Sequence, residues 1–184
     1  MPPKIGVPEL TLEQIVREYN RFSLHDGWIA NPQPNTTPEG HHGIRVIGGS
    51  WSYTDAWVDG RDSPIIFDED VFMGQTILSC GKWMAMYMTY HGRMDAIGTE
   101  MVKLALRYQY ELGIFNGGRG PATFEDGDLR YMYELTTDHP NKDMGVVGFS
   151  GREAVYDKDD HCHAQCFIQG GVLIPGFADF QPTR

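Results

Sequence analysis

The segment 51–58 alternates strictly between two sets of side chains, and this period of two constrains the fold more than any other feature of the chain. Successive side chains of a β-strand point to opposite faces, so the pattern predicts a half-buried strand. One face of that strand would carry Trp51, Tyr53, Asp55 and Trp57. Strand patterns recur along the chain, and about six strands are predicted, over 44–58, 71–78, 82–91, 129–136, 145–156 and 161–174.

Two other segments have the periodicity of amphipathic helices. Thr11 can cap the first helix while Gln14 completes a capping box, and Gly27 would end it. The second helix covers residues 95–112 and has an apolar stripe along one face. Residues 30–43 contain three prolines, so an irregular loop is expected there.

The two halves of the chain resemble each other. Phe-Met-Gly-Gln at 72–75 is echoed by Phe-Ser-Gly-Arg at 149–152, which suggests an α-β-β-β unit used twice. The alternative is chance combined with ordinary strand patterning. The predicted fold class is α+β: a strongly curved antiparallel sheet of about six strands against two main helices, open-barrel-like with a central pocket. One domain would cover 1–184, with its core at 44–174 and the helix and proline-rich loop of 1–43 packed on it.

Composition excludes several classes of partner. The chain has 15 lysines and arginines against 25 aspartates and glutamates, a formal charge of −10, and no basic cluster offsets it. A nucleic-acid partner is therefore not expected. No apolar run approaches the roughly 18 residues of a membrane span. The three cysteines have spacings that no disulfide framework needs, which favours a reducing, cytoplasmic setting.

Several short motifs follow one another in an order typical of a known family. They are Tyr53-x-Asp55-x-Trp57, Phe72-x-Gly74-Gln75, Trp83-Met84-Ala85-Met86-Tyr87, Arg119-Gly120-Pro121, Phe149-x-Gly151-Arg152-Glu153 and Gly170-Gly171. Over residues 45–174 the chain resembles a bacterial family known only as domain of unknown function 5680. The resemblance implies a ligand-sized site but no reaction. In that family the domain occurs alone or behind a helix-turn-helix DNA-binding segment. The chain departs from the family pattern at Gln75, where glutamate is usual, and at 161–163.

An aromatic and acidic wall is the strongest candidate site. If the strands 51–58 and 82–91 are neighbours, the face with Asp55 and the face with Tyr87 and His91 would form one concave wall. Rings would stack on a flat ligand, and a carboxyl group beside apolar surface would have a raised pKa suited to acid–base chemistry. The predicted catalytic residues are Asp55, His91, Tyr53, Tyr87, His41 and His42. The predicted ligand-binding residues are Trp51, Trp57, Trp83, Tyr90, Arg93, Arg119 and Tyr133.

Each of these candidates has a plainer alternative. Asp55 could be satisfied by Arg45 or Arg93 within an aromatic core. His41 and His42 could deliver a proton from a closing lid, or they could be solvated surface histidines. The glycine-flanked arginines could clamp an anionic ligand, but a role in locking loops together is favoured. The methionines of the strand 82–91 are expected to pack in the core.

Two histidines flank a cysteine at 161–163. On a strand, His161 and His163 would point the same way, as paired metal ligands do. A third ligand would have to come from elsewhere, with His41, His91 and Asp160 as candidates. The alternative is the start of a hairpin with polar side chains at its rim. No metal site is favoured, and no cofactor is expected.

The function predicted from these observations is small-molecule binding in a pocket. The leading interpretation is a cofactor-independent acid–base enzyme, a lyase, isomerase or dehydratase, that acts on a small aromatic compound. The alternatives are a non-catalytic ligand-binding or sensor domain, and a metal-dependent enzyme that uses His161 and His163. The expected partner is a small-molecule ligand, with no nucleic acid and no membrane involved, and a homodimer is left open.

Overall fold

The structure is a computed structural model that describes residues 10–30, 32–37, 41–60, 68, 70–141 and 146–173. Two α-helices lie in this part of the chain, α1 (Leu12–His25) and α2 (Ala96–Glu111), with a 3₁₀ turn at Trp28–Ala30. The strands of the first half are β1 (Asn35–Thr36), β2 (His41–Gly48), β3 (Trp51–Asp59), β4 (Val71–Cys80) and β5 (Trp83–Met94). Those of the second half are β6 (Thr123–Asp126), β7 (Leu129–Asn141), β8 (Val146–Asp157) and β9 (Cys162–Leu173).

These strands form one antiparallel sheet in the order β1-β2-β3-β4-β5-β9-β8-β7-β6. Strands β1 to β5 form one meander and β6 to β9 another, and the two meanders meet where β5 pairs with β9. The α+β class, the antiparallel sheet and the two helices confirm the prediction. Among the described residues β1 and β6 are the two edges, so the sheet is not closed. The internal duplication stays a prediction.

The predicted number of about six strands is wrong, because the described part of the sheet has nine. The predicted strand 44–58 is a hairpin, β2 and β3, that turns at Gly49, whose φ of 63° is in the left-handed region that glycine favours. The two edge strands, β1 and β6, have only two and four residues, too few to show an alternating pattern.

The expectation of an irregular loop over 30–43 is wrong in part. Asn35 and Thr36 pair with Gly43 and His42, and the N–H of Thr37 donates to the carbonyl of His41. Proline breaks a strand only where its missing N–H is needed. Residues 31 and 38–40 lie outside the described part of the chain.

Helix α1 begins as its sequence predicts. The hydroxyl of Thr11 accepts a hydrogen bond from the N–H of Gln14 (3.1 Å), and the Gln14 side chain accepts one from the N–H of Thr11 (2.9 Å). This reciprocal pair satisfies two N–H groups that the helix start leaves without backbone partners. The buried stripe of α1, with Ile15, Tyr19 and Phe22, packs on the sheet.

Helix α2 begins at a second cap, where Oδ1 of Asp95 accepts from the N–H of Gly98 (2.8 Å). Its buried face includes Met101, Val102 and Leu106. Neither helix is long and apolar enough to cross a membrane.

Within the described ranges, the helices cover one face of the sheet and leave the other face open. On β5, Met86, Met88 and Tyr90 face the core, while Tyr87 and His91 lie on the other face and are exposed. The register between β4 and β5 shifts next to Leu78, and Met84 is 44% exposed as a result. Of the methionines in the predicted strand 82–91, only Met86 and Met88 therefore pack in the core.

Candidate functional site

A cavity lies between the covered face of β3, β4 and β5 and the helices. Its volume is about 70 Å³. Aromatic rings dominate its walls, which include Tyr19, Trp28, Tyr53, Trp57, Phe72, Tyr90 and Tyr110. Polar groups also reach it, namely Ser23, Asp55, Asp59, Asp70, Thr76, Thr99 and Arg119. A concave site lined by rings with a few placed polar groups suits a small organic molecule.

Asp55 is the most deeply placed carboxyl group of this cavity, at 3% exposure on the interior strand β3. Its Oδ1 accepts hydrogen bonds from the hydroxyls of Tyr90 (2.8 Å) and Thr76 (3.1 Å). Its Oδ2 has one longer contact, 3.5 Å from the hydroxyl of Tyr53. One carboxylate oxygen is thus held by two donors, while the other keeps capacity to accept a further hydrogen bond.

Burial raises the pKa of Asp55 to about 6, while the hydrogen bonds from Tyr90 and Thr76 act in the opposite direction. Burial, together with the nearby charge of Asp55, raises the pKa of Tyr53 and Tyr90 well above the usual tyrosine value. Both tyrosines therefore keep their protons near neutral pH and act as hydrogen-bond donors. Asp55 is the group in this cluster that changes protonation near physiological pH.

A second buried polar cluster lies on the same face, centred on Glu153 of β8, which has no exposed surface. Glu153 pairs with the guanidinium of Arg119 through both carboxylate oxygens, and its Oε2 also accepts from the hydroxyl of Tyr131 (2.8 Å). Burial opposes the charge of Arg119, but Glu153 together with Cys166, Tyr131 and Tyr110 outweighs burial, and the pKa of Arg119 is held well above its usual value. Arg119 thus reaches the cavity with its charge already matched by a buried carboxylate.

The structure brings some predicted site residues together. Tyr53, Asp55, Trp57, Tyr90 and Arg119 all line the cavity. Asp55 is not satisfied by Arg45 or Arg93, since its hydrogen bonds come from hydroxyl groups.

The expectation of one wall shared by Asp55, Tyr87 and His91 is wrong. Asp55 faces the helices, whereas Tyr87 and His91 lie on the open face of the sheet. On β5 these two residues alternate with Met86, Met88 and Tyr90, which face the core, because successive side chains of a strand point to opposite faces. His91 stacks on Phe167 there, with ring centroids 5.7 Å apart. Trp83, on the same strand, does not line the cavity.

The other predicted residues lie around the cavity rather than in it. His42 stacks on Trp57 with ring centroids 5.3 Å apart, and its Nδ1 is 3.0 Å from the hydroxyl oxygen of Thr36. His41 is exposed. Trp51 is partly buried and packs against the core.

Two predicted ligand-binding residues have structural surroundings instead. Arg93 is exposed and forms an ion pair with Asp68 (3.0 Å). Tyr133 is buried over Gly151, and its hydroxyl has no hydrogen-bond partner among the described residues. Neither residue lines the cavity.

Sequence reasoning missed several cavity residues. Thr76 stands directly opposite Asp55 in the β3–β4 register, and only that register reveals the contact. The hydroxyls of Tyr19 and Tyr110 both donate to the carbonyl of Gly118, which joins the two helices to the loop before Arg119. Tyr19 belongs to the apolar stripe of α1, so its periodicity indicated core packing, and Tyr110 was not singled out from the sequence.

A separate polar cluster lies where α2 begins. Nδ1 of His163 is 2.8 Å from Oδ2 of Asp95, and Nε2 of His163 is 3.5 Å from Oδ2 of Asp157. The ring of His161 meets that of His163 edge-on, with centroids 4.9 Å apart. The third partner of the histidine pair is thus Asp95, which the sequence analysis did not consider.

Comparisons with protein-family models, with curated proteins and with solved structures find no match. The resemblance to the domain of unknown function 5680 family therefore stays a prediction from the motifs.

Proposed function

We propose that this protein binds a small aromatic molecule in the cavity and uses Asp55 as an acid–base group. The observation that carries the proposal is a carboxyl group with a pKa of about 6, held by hydroxyl donors and surrounded by aromatic rings. A pKa in this range lets one group both accept and return a proton near neutral pH.

The roles of the cavity residues follow from their contacts. Trp28 and Trp57 offer rings on which an aromatic ligand stacks. Tyr90 and Thr76 hold one oxygen of Asp55, so the other, Oδ2, takes a proton from the ligand or accepts its hydrogen bond. Proton transfer of this kind supports a lyase, isomerase or dehydratase reaction without a cofactor.

Non-catalytic ligand binding is the second candidate, and one observation favours it. His91 and Tyr87, the groups expected to share proton transfer with Asp55, lie on the opposite face of the sheet. With Asp55 as the titrating group and raised-pKa tyrosines beside it, the same cavity suits a sensor that recognises a ligand and releases it unchanged. A metal-dependent reaction has less support, since neither His161 nor His163 lines the cavity.

Tryptophan fluorescence tests binding directly. The probes are 4-methylphenol, benzylamine and benzoate, added to the wild type and to single variants. Indole is not used as a probe, because its own fluorescence overlaps the tryptophan emission that is measured. We expect 4-methylphenol and benzylamine to perturb the emission and benzoate to bind least, because the Asp55 carboxylate repels an anion. Trp57→Phe should remove much of the response, while Trp83→Phe, outside the cavity, should keep it. Equal loss in the two variants would contradict binding in this cavity.

A trapping experiment separates catalysis from binding. The Asp55→Asn variant is purified, and native mass spectrometry identifies any small molecule that it carries. That compound is then incubated with the wild-type protein. Catalysis predicts a product of changed mass or retention time, whereas a sensor returns the compound unchanged.

A further inference from the structure

The start of β9 and the start of α2 are locked together by backbone contacts. The N–H of Asp95 donates to the carbonyl of His163 (3.0 Å), and the first turn of α2 packs so closely on His163 that a Cβ at Gly98 would collide with its backbone. Asp95 and His163 therefore have fixed positions relative to each other before any ligand arrives. A site with pre-positioned groups loses little conformational entropy on binding.

Three potential ligand atoms converge at this junction. One ring nitrogen from each of His161 and His163 and one carboxylate oxygen of Asp95 all lie within 4.8 Å of one another. Four-coordinate metal sites need ligand atoms about 3.3 Å apart, which follows from metal–ligand bonds of about 2.0–2.1 Å. These separations are within small side-chain adjustments of that spacing: Nδ1 of His163 and Oδ2 of Asp95 are 2.8 Å apart, so this pair has to open only slightly to admit an ion.

The donor set selects the class of ion. Two imidazole nitrogens with one carboxylate oxygen suit zinc and its neighbours in the first transition row, whereas Ca²⁺ and Mg²⁺ prefer all-oxygen sets. We propose that His161, His163 and Asp95 bind one divalent transition-metal ion of the zinc class, which ties the β8–β9 turn to the start of α2. The proposal is independent of the cavity around Asp55.

Asp157 completes the site from the second side of the ring. Its Oδ2 lies 3.5 Å from Nε2 of His163, and its Oδ1 accepts from the N–H of His161 (2.9 Å). When Nδ1 binds the ion, Nε2–H points to this carboxylate. A ligating histidine commonly donates its other N–H to a carboxylate, which fixes the ring and its tautomer.

The same contacts also suit a protonated His163 that bridges Asp95 and Asp157 without any metal. His161 distinguishes the two states. Its ring is exposed and takes no part in the ion pairs of His163, so a protonated His163 can bridge the two carboxylates without His161. A metal site, in contrast, needs His161 as a ligand.

The test is a Co²⁺ and Zn²⁺ titration of the untagged full-length protein at pH 7.5. Calorimetry gives stoichiometry and affinity, and the visible absorption of bound Co²⁺ reports its coordination. All proteins carry Cys162→Ser, because this exposed thiol lies between the two histidines in the sequence and could capture the metal by itself. The test variant is His161→Ala. The control is His25→Ala, which also removes an exposed histidine but at the end of α1, outside the proposed site.

We expect one ion per chain, with the absorption of four-coordinate Co²⁺, and a rise in Tm on Zn²⁺ addition. His161→Ala should weaken affinity at least about tenfold and abolish the rise in Tm, while His25→Ala should change neither. Both variants remove an exposed side chain, so each should fold, which circular dichroism checks. An absence of stoichiometric binding, or equal binding by both variants, would overturn the proposal.

Discussion

The hydroxyl of Tyr90 on β5 donates a 2.8 Å hydrogen bond to Oδ1 of Asp55 on β3, across the whole width of β4. The tyrosine spans this distance by lying over Gly74, its partner in the β4–β5 register. A Cβ at Gly74 would lie 2.5 Å from the Tyr90 hydroxyl oxygen and 2.6 Å from ring carbons. Because Gly74 of β4 has no side chain, Tyr90 can reach across β4 and hydrogen-bond the carboxyl group of Asp55 on β3.

Gly74→Ala is expected to displace Tyr90 and break its hydrogen bond to Asp55. Overpacking of this kind lowers the free energy of unfolding by about 1–3 kcal/mol. Urea denaturation measures the loss. Gly43→Ala is the control, because a Cβ there meets nothing within 4 Å, and its effect should stay within about 0.5 kcal/mol. Similar effects of the two changes would contradict the role of Gly74.

Asp55 is expected to make stability depend on pH. Its pKa is about 6 in the fold against an ordinary value of 3.8, so the folded state holds a proton that the unfolded state has lost between these values. The free energy of unfolding then falls as pH rises from about 4 to 6, by about 3 kcal/mol in total, and stays reduced above that range.

Asp55→Asn removes this titration while it keeps a side-chain oxygen for Tyr90 and Thr76. The difference in unfolding free energy between the variant and the wild type should therefore shift in favour of the variant over the same pH range. Urea titrations at pH 4.5, 5.5 and 7 measure it, and contributions from other carboxyl groups cancel in the difference. A difference that does not change with pH would contradict the raised pKa.

Tyr131 and Tyr133 provide a matched pair on β7. The hydroxyl of Tyr131 donates to Glu153 (2.8 Å) and accepts from the N–H of Gly120 (3.2 Å), whereas the hydroxyl of Tyr133 has no partner in the part of the chain that the structure describes. Tyr131→Phe should lower the free energy of unfolding by about 1.5–3 kcal/mol, the range for a hydrogen bond to a charged group. Tyr133→Phe should be neutral or stabilising by up to about 1 kcal/mol, since it removes a buried unsatisfied group.

Thermal and urea unfolding of both phenylalanine variants checks this prediction. The two changes remove the same atom from neighbouring positions on one face, so packing effects are comparable. A larger loss at Tyr133 than at Tyr131 would show that the buried Glu153 cluster does not stabilise the fold.

Local signals in the sequence predicted local structure well. The capping box of Thr11 and Gln14, the period-two pattern of 51–58 and the start of the second helix near residue 95 depend on neighbours in the chain, and each appears in the structure. The turn at Gly49 was missed because both sides of it carry strand patterns. Short strands such as β6 leave too few residues for a period to show.

Contacts between distant residues could not be predicted in the same way. Asp55 was singled out because an acid stood among aromatic residues, but its partners Thr76 and Tyr90 depend on strand register. Alternation placed Tyr87 and His91 together on one face of β5, yet it could not say which face would be covered. The approach of Asp95 to His163 depends on the β5–β9 pairing, which no local pattern encodes.

The β5–β9 pairing also governs how the chain folds during synthesis. Every other pairing among the described strands joins neighbours in the sequence, whereas this one joins Met86 to Val172 and Met94 to Ala164. On the ribosome, the first meander is complete long before residues 162–173 emerge. Until then β5 is an edge strand: one side pairs with β4, and the other side carries a row of unpaired backbone N–H and C=O groups. An exposed edge of this kind can pair with other chains. Nascent chains of this protein are therefore most prone to aggregation in the interval between the synthesis of β5 and that of β9.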